Sequence, residues 1–327
     1  MNAPGLKGSI MTSGMLNKIS TQRLAYPALI LGLFSIGFAA ILVSLAGAPG
    51  PVSAFYRMGV AAMLLVIPFL RQANSQAKPY PRRGVRLALL GGLLFALDLA
   101  FWTTGITISG AATPTLMANT APLWVGLGSI VIFHERLNAL FWFGLILAMF
   151  GALMVLGAEF TRGAALGLGT FLGLLAAIFY GAYYLVTQRG RDYLKTLSYF
   201  WIATFTAAMA LLILNFILGN PITGYSLKTY LAFLGLGVIA QILGWLSINY
   251  AQGFLPASIV APTLLGQPVV TAIFAFLLLG ESFSVWHILG GIFVLVGVYI
   301  VHRSRWKETK DQREVTLAPS VEESRQA

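Results

Sequence analysis

Ten apolar runs, each near the length that crosses a bilayer, constrain this chain more than any other feature. They cover residues 27–45, 51–70, 85–108, 111–133, 139–158, 163–186, 198–218, 229–250, 255–279 and 284–302. About 20 apolar residues cross a hydrocarbon core as a helix. Helices are expected because hydrocarbon offers no partner to an open backbone amide. Barrel strands would be about half as long and would alternate apolar with polar residues; these runs do not alternate. Only 9% of the 327 residues are charged, against roughly 25% in soluble domains. The gaps between runs leave no room for a soluble domain. The reading is an all-α membrane protein with ten transmembrane helices.

The net charge of +11 does not come from a basic face. Its lysines and arginines cluster in the short gaps, which indicates membrane topology and argues against nucleic acid as a partner. With the N-terminus inside, the inner segments hold Lys7, Lys18, Arg23, Arg71, Lys78, Arg82, Arg83, Arg86, Arg136, Arg189, Arg191, Lys195 and the basic residues after 302. The outer loops hold only Arg162 and Lys228, and Arg57 lies within a run. Excess Lys and Arg marks the cytoplasmic side, so both termini are expected there, with the chain in the bacterial inner membrane. Residues 1–26 read as a cytoplasmic segment and 303–327 as a disordered cytoplasmic tail. Ala46-Gly47-Ala48 resembles a signal-peptidase site. However, the apolar core of a signal peptide is about 7–15 residues, and the first run is longer, so it is read as a retained span. Cysteine is absent, which excludes disulfides and thiolate metal sites.

The second constraint is a repeat. Pro122, Glu135, Gly144 and Gly151 recur 146 residues later as Pro268, Glu281, Gly290 and Gly297, and Gly91 recurs as Gly237. A duplicated unit divides ten helices into two sets of five, expected over 27–158 and 163–302. Five is odd, so the second set must enter the membrane upside down relative to the first. Inverted repeats are a construction of secondary transporters, whose substrate site lies near the midplane between the halves.

Two five-helix units, each with proline, glutamate and two glycines at P-x12-E-x8-G-x6-G spacing, resemble the drug/metabolite transporter superfamily in its EamA-type branch. The resemblance covers about residues 27–302. It implies a ten-helix inverted-repeat exporter of small metabolites, with a central cavity and no cofactor. The aromatic-rich chain is further similar to bacterial amino-acid exporters, including those for aromatic amino acids.

No enzyme signature is present: there is no Walker loop, no paired carboxylates and no nucleophile with a base at membrane depth. His134, His287 and His302 sit at helix ends in different segments, without the spacing of a metal site. Asp98 is the acid well inside a run, and Arg57 the base. Intramembrane charges are costly and are functional candidates by default. At 1.5 Å per residue, Arg57 and Asp98 lie about 9 and 15 Å from the outer ends of their helices. Three roles follow: a structural ion pair of Asp98 with Arg57, Asp98 as carrier of a proton or a substrate ammonium, or Arg57 as partner of a substrate carboxylate. Other polar and aromatic residues fall at helical spacing: Asp98, Trp102 and Gly105; Thr115 and Asn119; Tyr180 and Tyr184; Gln241, Trp245 and Asn249; Thr263, Gln267 and Thr271. Those on helices of both halves are expected to line a substrate cavity. Trp142, Trp201 and Trp286 lie at run ends and read as interfacial belts. Gly163, Gly167, Gly169 and Gly173 read as a helix-packing stripe. Pro122 and Pro268 lie mid-run, where each removes a backbone hydrogen bond and is a hinge candidate. The expected function is secondary export of small organic metabolites, amino acids foremost. The alternatives are efflux of cationic drugs or nucleotide-type metabolites and, of another class, a membrane-embedded enzyme.

Overall fold

The computed structural model describes residues 23–109, 112–156, 167–280 and 284–326. Arg162, Gly163 and Glu281 lie outside them. Among the described residues, ten stretches are long and apolar enough to cross a membrane: Ala25–Val43, Gly50–Asn74, Arg82–Gly105, Pro114–Phe133, Ala139–Leu156, Leu168–Arg191, Thr196–Ile217, Leu227–Ala251, Ala257–Leu278 and Val285–Trp306. These are called the first to tenth spans. The protein is an all-α membrane protein of two inverted five-helix repeats. Gly47, in the middle of the apparent cleavage site, is the left-handed C-cap (φ 58°) of helix Ala25–Ala46. Glycine adopts that conformation without steric cost, so the Ala-Gly-Ala stretch is a helix stop. The last helix runs Val285–Gln326, beyond the expected span end at 302 and through the expected disordered tail. Lys307, Glu308, Lys310, Gln312, Arg313 and Glu314 are strong helix formers, and these carry the backbone on.

By contact the chain divides into two compact units. Unit one is Met1–Leu93 with Val186–Pro256, and unit two is Leu94–Leu185 with Ala257–Ala327. Each unit draws helices from both sequence repeats, so repeats and compact units partition the chain differently.

In unit one the eighth span packs closely on the first two. A Cβ on Gly32 would lie 3.0 Å from the Gly244 carbonyl oxygen, and one on Gly237 would lie 2.5 Å from Val60. Small residues let helix backbones approach where lipid supplies no hydrophobic drive. Polar side chains tie the ends of the spans: the buried Asn215 donates to the Pro51 carbonyl at 2.9 Å, and Thr229 donates to the Ala46 carbonyl at 2.9 Å. The expected belt residue Trp201 stacks on Phe69 at 4.1 Å and donates to the Ala62 carbonyl at 2.9 Å. The eighth span is not uniformly α-helical. Leu227–Gly235 is α, Leu236–Leu246 is a π-helix, and Ser247–Ala251 returns to α.

Unit two explains the repeated glycines. Spans five and ten cross through them. A Cβ on Gly144 would sit 2.8 Å from the Gly297 carbonyl oxygen, and one on Gly297 would sit 2.6 Å from that of Gly144. A Cβ on Gly151 would sit 2.5 Å from the Gly290 carbonyl oxygen, and one on Gly290 would sit 2.6 Å from that of Gly151. Numbers rise along one helix as they fall along the other, so the helices are antiparallel, and the contact is its own image under the repeat. A rotation exchanging two antiparallel helices in this way has its axis across them, which is the geometry of inverted repeats.

The repeated prolines do something else. The fourth span consists of Ala112–Ala118 and Ala121–Phe133. The ninth consists of Ala257–Thr263, a 3-10 turn Leu264–Gly266, and Gln267–Leu279. Pro122 and Pro268 each stand in the first turn of the second segment. Proline has no N–H and its ring collides with the carbonyl four residues back. At a helix start the missing N–H is no loss. Just before the proline the fourth span breaks at a turn (119–120) and the ninth tightens to a 3-10 turn.

Candidate functional site

Around the interruption in the fourth span, side chains add to the backbone bonds. The Asn119 amide donates to the Thr115 carbonyl at 2.8 Å. The Thr120 hydroxyl donates to the Met117 carbonyl at 2.6 Å, and the Thr120 backbone N–H reaches the same oxygen at 3.0 Å, a tightened turn. Every residue from Thr115 to Thr120 is partly exposed. On the third span, Trp102 donates its indole N–H to the Thr115 hydroxyl at 3.1 Å. Gly105 lies against Pro114, where a Cβ would be 3.0 Å away. The sixth span reaches the interruption through Gly173 and Gly181, whose Cβ positions fall 2.8 Å from the Pro114 carbonyl and 2.9 Å from Trp124.

Tyr184, fully buried, donates to the Tyr180 hydroxyl at 2.9 Å. Asp98 is buried and lies within electrostatic range of Tyr184. Unit two thus holds two groups on spans three, four and six: Asp98 with Tyr180 and Tyr184, and Trp102 with Thr115 and Asn119. A carboxylate among aromatic rings suits a cationic group, since ring faces also attract cations.

The ninth span carries Thr263 and Gln267 at its own interruption, also in unit two. Thr263 donates to the Ile259 carbonyl at 2.7 Å and meets His302 Nε2 at 2.8 Å. Gln267 opens the segment after the break. The remaining candidates lie in unit one. Arg57 donates its Nε–H to Gln241 Oε1 at 2.9 Å, and the buried Asn249 donates to the Trp245 carbonyl at 3.1 Å. Gln241, Trp245 and Asn249 were expected on one α-helical face. The π-helical turn closes on the fifth residue, so a four-residue step falls short of a full turn from Leu236 to Leu246.

A third cluster ties unit two at one end. The Glu135 carboxylate receives Arg305 at 2.8 Å and the buried Ser258 hydroxyl at 2.6 Å. Its loop is capped on both sides. His134 adopts the left-handed conformation (φ 55°) at the C-cap of Ala121–Phe133. The Asn138 carboxamide accepts the Phe141 N–H at 3.0 Å and the Ser304 hydroxyl at 2.7 Å.

A model of the EamA-like transporter family matches residues 23–157 and again 167–303. The chain belongs to the EamA-like transporter family. It is similar to the transporter YdfC of Bacillus subtilis, at 25% identity over 290 residues, 86% of this chain and 92% of YdfC. The pseudopaline exporter CntI of Pseudomonas aeruginosa is 26% identical over 275 residues, 83% of this chain and 93% of CntI. A solved crystal structure shares the fold, with a TM-score of 0.71 at 17% identity, over 86% of this chain and 96% of its own.

In this EamA-like transporter the two family matches contain the two interruptions, Pro122 in the first and Pro268 in the second. Sequence reasoning found the prolines as hinge candidates, and each stands in the first turn of a helical segment. It missed Thr120, which satisfies a carbonyl at the break, and His302, which partners Thr263. Glu135 was visible through its repeat, but its partners stand 123 residues away (Ser258) and 170 away (Arg305).

Proposed function

We propose that this transporter is a secondary exporter of small organic metabolites, amino acids including aromatic ones foremost, across the bacterial inner membrane. The observation that carries the proposal is the pair of interrupted spans, four and nine, at equivalent positions of the two repeats. Discontinuous helices are where secondary transporters bind their substrates and coupling ions, near the midplane. Beside the first interruption, Asp98 supplies the negative charge for a substrate ammonium or for a coupled proton. Trp102, Tyr180 and Tyr184 supply ring surface for an apolar side chain. Pro122 and Pro268 are the hinges of an alternating-access movement. Both termini are cytoplasmic. The name of the relative CntI, an exporter, supports the outward direction.

Flux into liposomes holding the purified chain tests the proposal. Aromatic amino acids should move saturably, and Trp102→Ala and Asp98→Asn should each reduce that flux by about tenfold, the loss of one interaction of about 1.4 kcal/mol. Movement of hydrophobic organic cations without amino acids would replace this substrate class with cationic-drug efflux. No flux of any small solute would end the transport reading. Single cysteines at Ser75 and Thr223, in a chain with none of its own, should label from the cytoplasm and from outside respectively.

A further inference from the structure

The structure assigns Arg71, Lys78, Arg82, Arg86 and Lys195 as one basic patch at an end of unit one, and we infer that it binds the phosphate headgroup of an anionic phospholipid. Arg71 stands in the last turn of helix Gly50–Asn74, and Arg82 and Arg86 in the opening turns of Arg82–Ser109. Lys78 lies between these helices, and Lys195 between the sixth and seventh spans. Side chains bring the two connections together. The Ser198 hydroxyl bonds Gln72 Oε1 at 3.1 Å and the Tyr80 hydroxyl at 2.9 Å. A Cβ on Gly84 would lie 2.8 Å from that of Tyr193, and the Arg83 guanidinium stands 5.4 Å from the centre of the Tyr193 ring. Arg191 braces the second connection, donating to the Asn249 carbonyl at 3.1 Å and the Thr196 hydroxyl at 2.7 Å. All of these residues belong to unit one.

The charge of the patch is not answered within it. All five side chains are exposed, and none has a hydrogen bond or ion pair among the described residues. Within residues 71–86 and 189–198 the sole acid in the sequence is Asp192, and Arg189 holds it at 3.2 Å. Topology asks only for an excess of bases on one side of the membrane; it does not ask that they converge. The exposed surface beneath them is apolar. Ile67 lies one helical turn from Arg71, and Leu89 and Leu90 lie one turn from Arg86, all of them exposed. Residues three or four apart share a helix face. Each face therefore passes from apolar residues to open cations within one turn, which sets the cations at headgroup depth. An acidic protein or a nucleic acid would match the bases alone, whereas a phospholipid matches the bases with its phosphate and the apolar residues with its chains. Clusters of lysine and arginine beside a span recognise anionic lipid in this way. The inference takes from the transport reading only the leaflet, the cytoplasmic one.

The test measures binding, so it is separate from transport. The purified full chain in an uncharged detergent would be titrated with phosphatidylglycerol and with phosphatidylcholine of the same acyl chains, and its melting temperature followed. Wild type should favour phosphatidylglycerol, and high salt should shrink the preference, since it screens exposed charges. Arg82→Gln with Arg86→Gln, and separately Arg71→Gln with Lys195→Gln, should each weaken apparent affinity for phosphatidylglycerol by about tenfold or more, because one base at an anionic surface is worth about fivefold. Their affinity for phosphatidylcholine and their melting temperature without lipid should match wild type, since the side chains removed are exposed. Lys228→Gln, a base at the opposite end of the unit, should leave the preference unchanged. Equal stabilisation of wild type by both lipids overturns the assignment, as does a preference kept by both double variants or lost equally in Lys228→Gln. Inorganic phosphate that stabilises as well as phosphatidylglycerol would overturn it in favour of a soluble anion. Stabilisation by polyglutamate but not by phosphatidylglycerol would overturn it in favour of an acidic protein partner.

Discussion

In spans five and ten the repeated residues are glycines and both helices are regular; in spans four and nine the repeated residue is proline, and just before it the fourth breaks at a turn and the ninth tightens to a 3-10 turn. All four spans lie in unit two, and their markers come from one duplicated stretch. The glycines remove side chains so that two backbones meet, which leaves little freedom to slide. The prolines remove a backbone donor, and on the N-terminal side of each the side chains of Asn119, Thr120 and Thr263 bond carbonyls of their own span. The two pairs differ in what holds them: reciprocal backbone contact in one, side-chain hydrogen bonds in the other. Locked and interrupted helices side by side are what a machine needs if one part is to move against a fixed part. Glu135 fastens the two pairs together, since it leaves the fourth span and bonds the start of the ninth and the end of the tenth.

The largest effect should come from cutting that fastening. Glu135 and Arg305 have side chains only 12% and 18% exposed. Removing one partner of a buried pair costs about 3–5 kcal/mol. Glu135→Ala should therefore lower the melting temperature severely, and Glu135→Gln with Arg305→Met should recover most of the loss. An unchanged melting temperature in Glu135→Ala would show that the cluster fastens nothing. Next in size is the glycine contact. The Cβ of Gly151→Ala meets backbone atoms of Gly290 and Val294 at 2.5 Å, and overpacking of this kind costs about 1–3 kcal/mol. Gly297→Ala should match it, because the contact is reciprocal. Clearly unequal losses in the two variants would break the symmetry drawn for these spans. The smallest stability change belongs to the prolines. Each stands at a helix start, so Pro122→Ala and Pro268→Ala should shift stability by less than about 1 kcal/mol. A hinge role then predicts slower flux from proteins as stable as wild type. Wild-type flux in both variants would leave the interruptions as shape alone.

The spans were legible in the sequence because lipid imposes one simple demand, and each of the ten runs met it. The inversion was legible from the odd number of helices per repeat. The site was only partly so. Tyr180 with Tyr184, and Thr115 with Asn119, follow from four-residue spacing and do meet in the structure. The π-helical turn around Gln241 carries no comparable signal: its residues are as apolar as those of any α-helical span. Arg57 with Gln241, Trp102 with Thr115, Thr263 with His302 and Glu135 with Arg305 join different helices. Periodicity along one helix says which face a residue occupies, not which helix covers it.

The reciprocal glycine contact has a further consequence. A surface on which a contact between two residues recurs between their counterparts is isologous, the interface of a C2 dimer. Spans five and ten are thus joined as two identical subunits would be, one of them overturned in the bilayer. A forerunner of half this length would have carried the whole interface on one copy of its gene. Each glycine in it would have been selected twice over, once for each side of the axis. Away from that contact the halves differ, as at Arg57 and Asp98, whose counterparts Ala203 and Gly244 carry no charge.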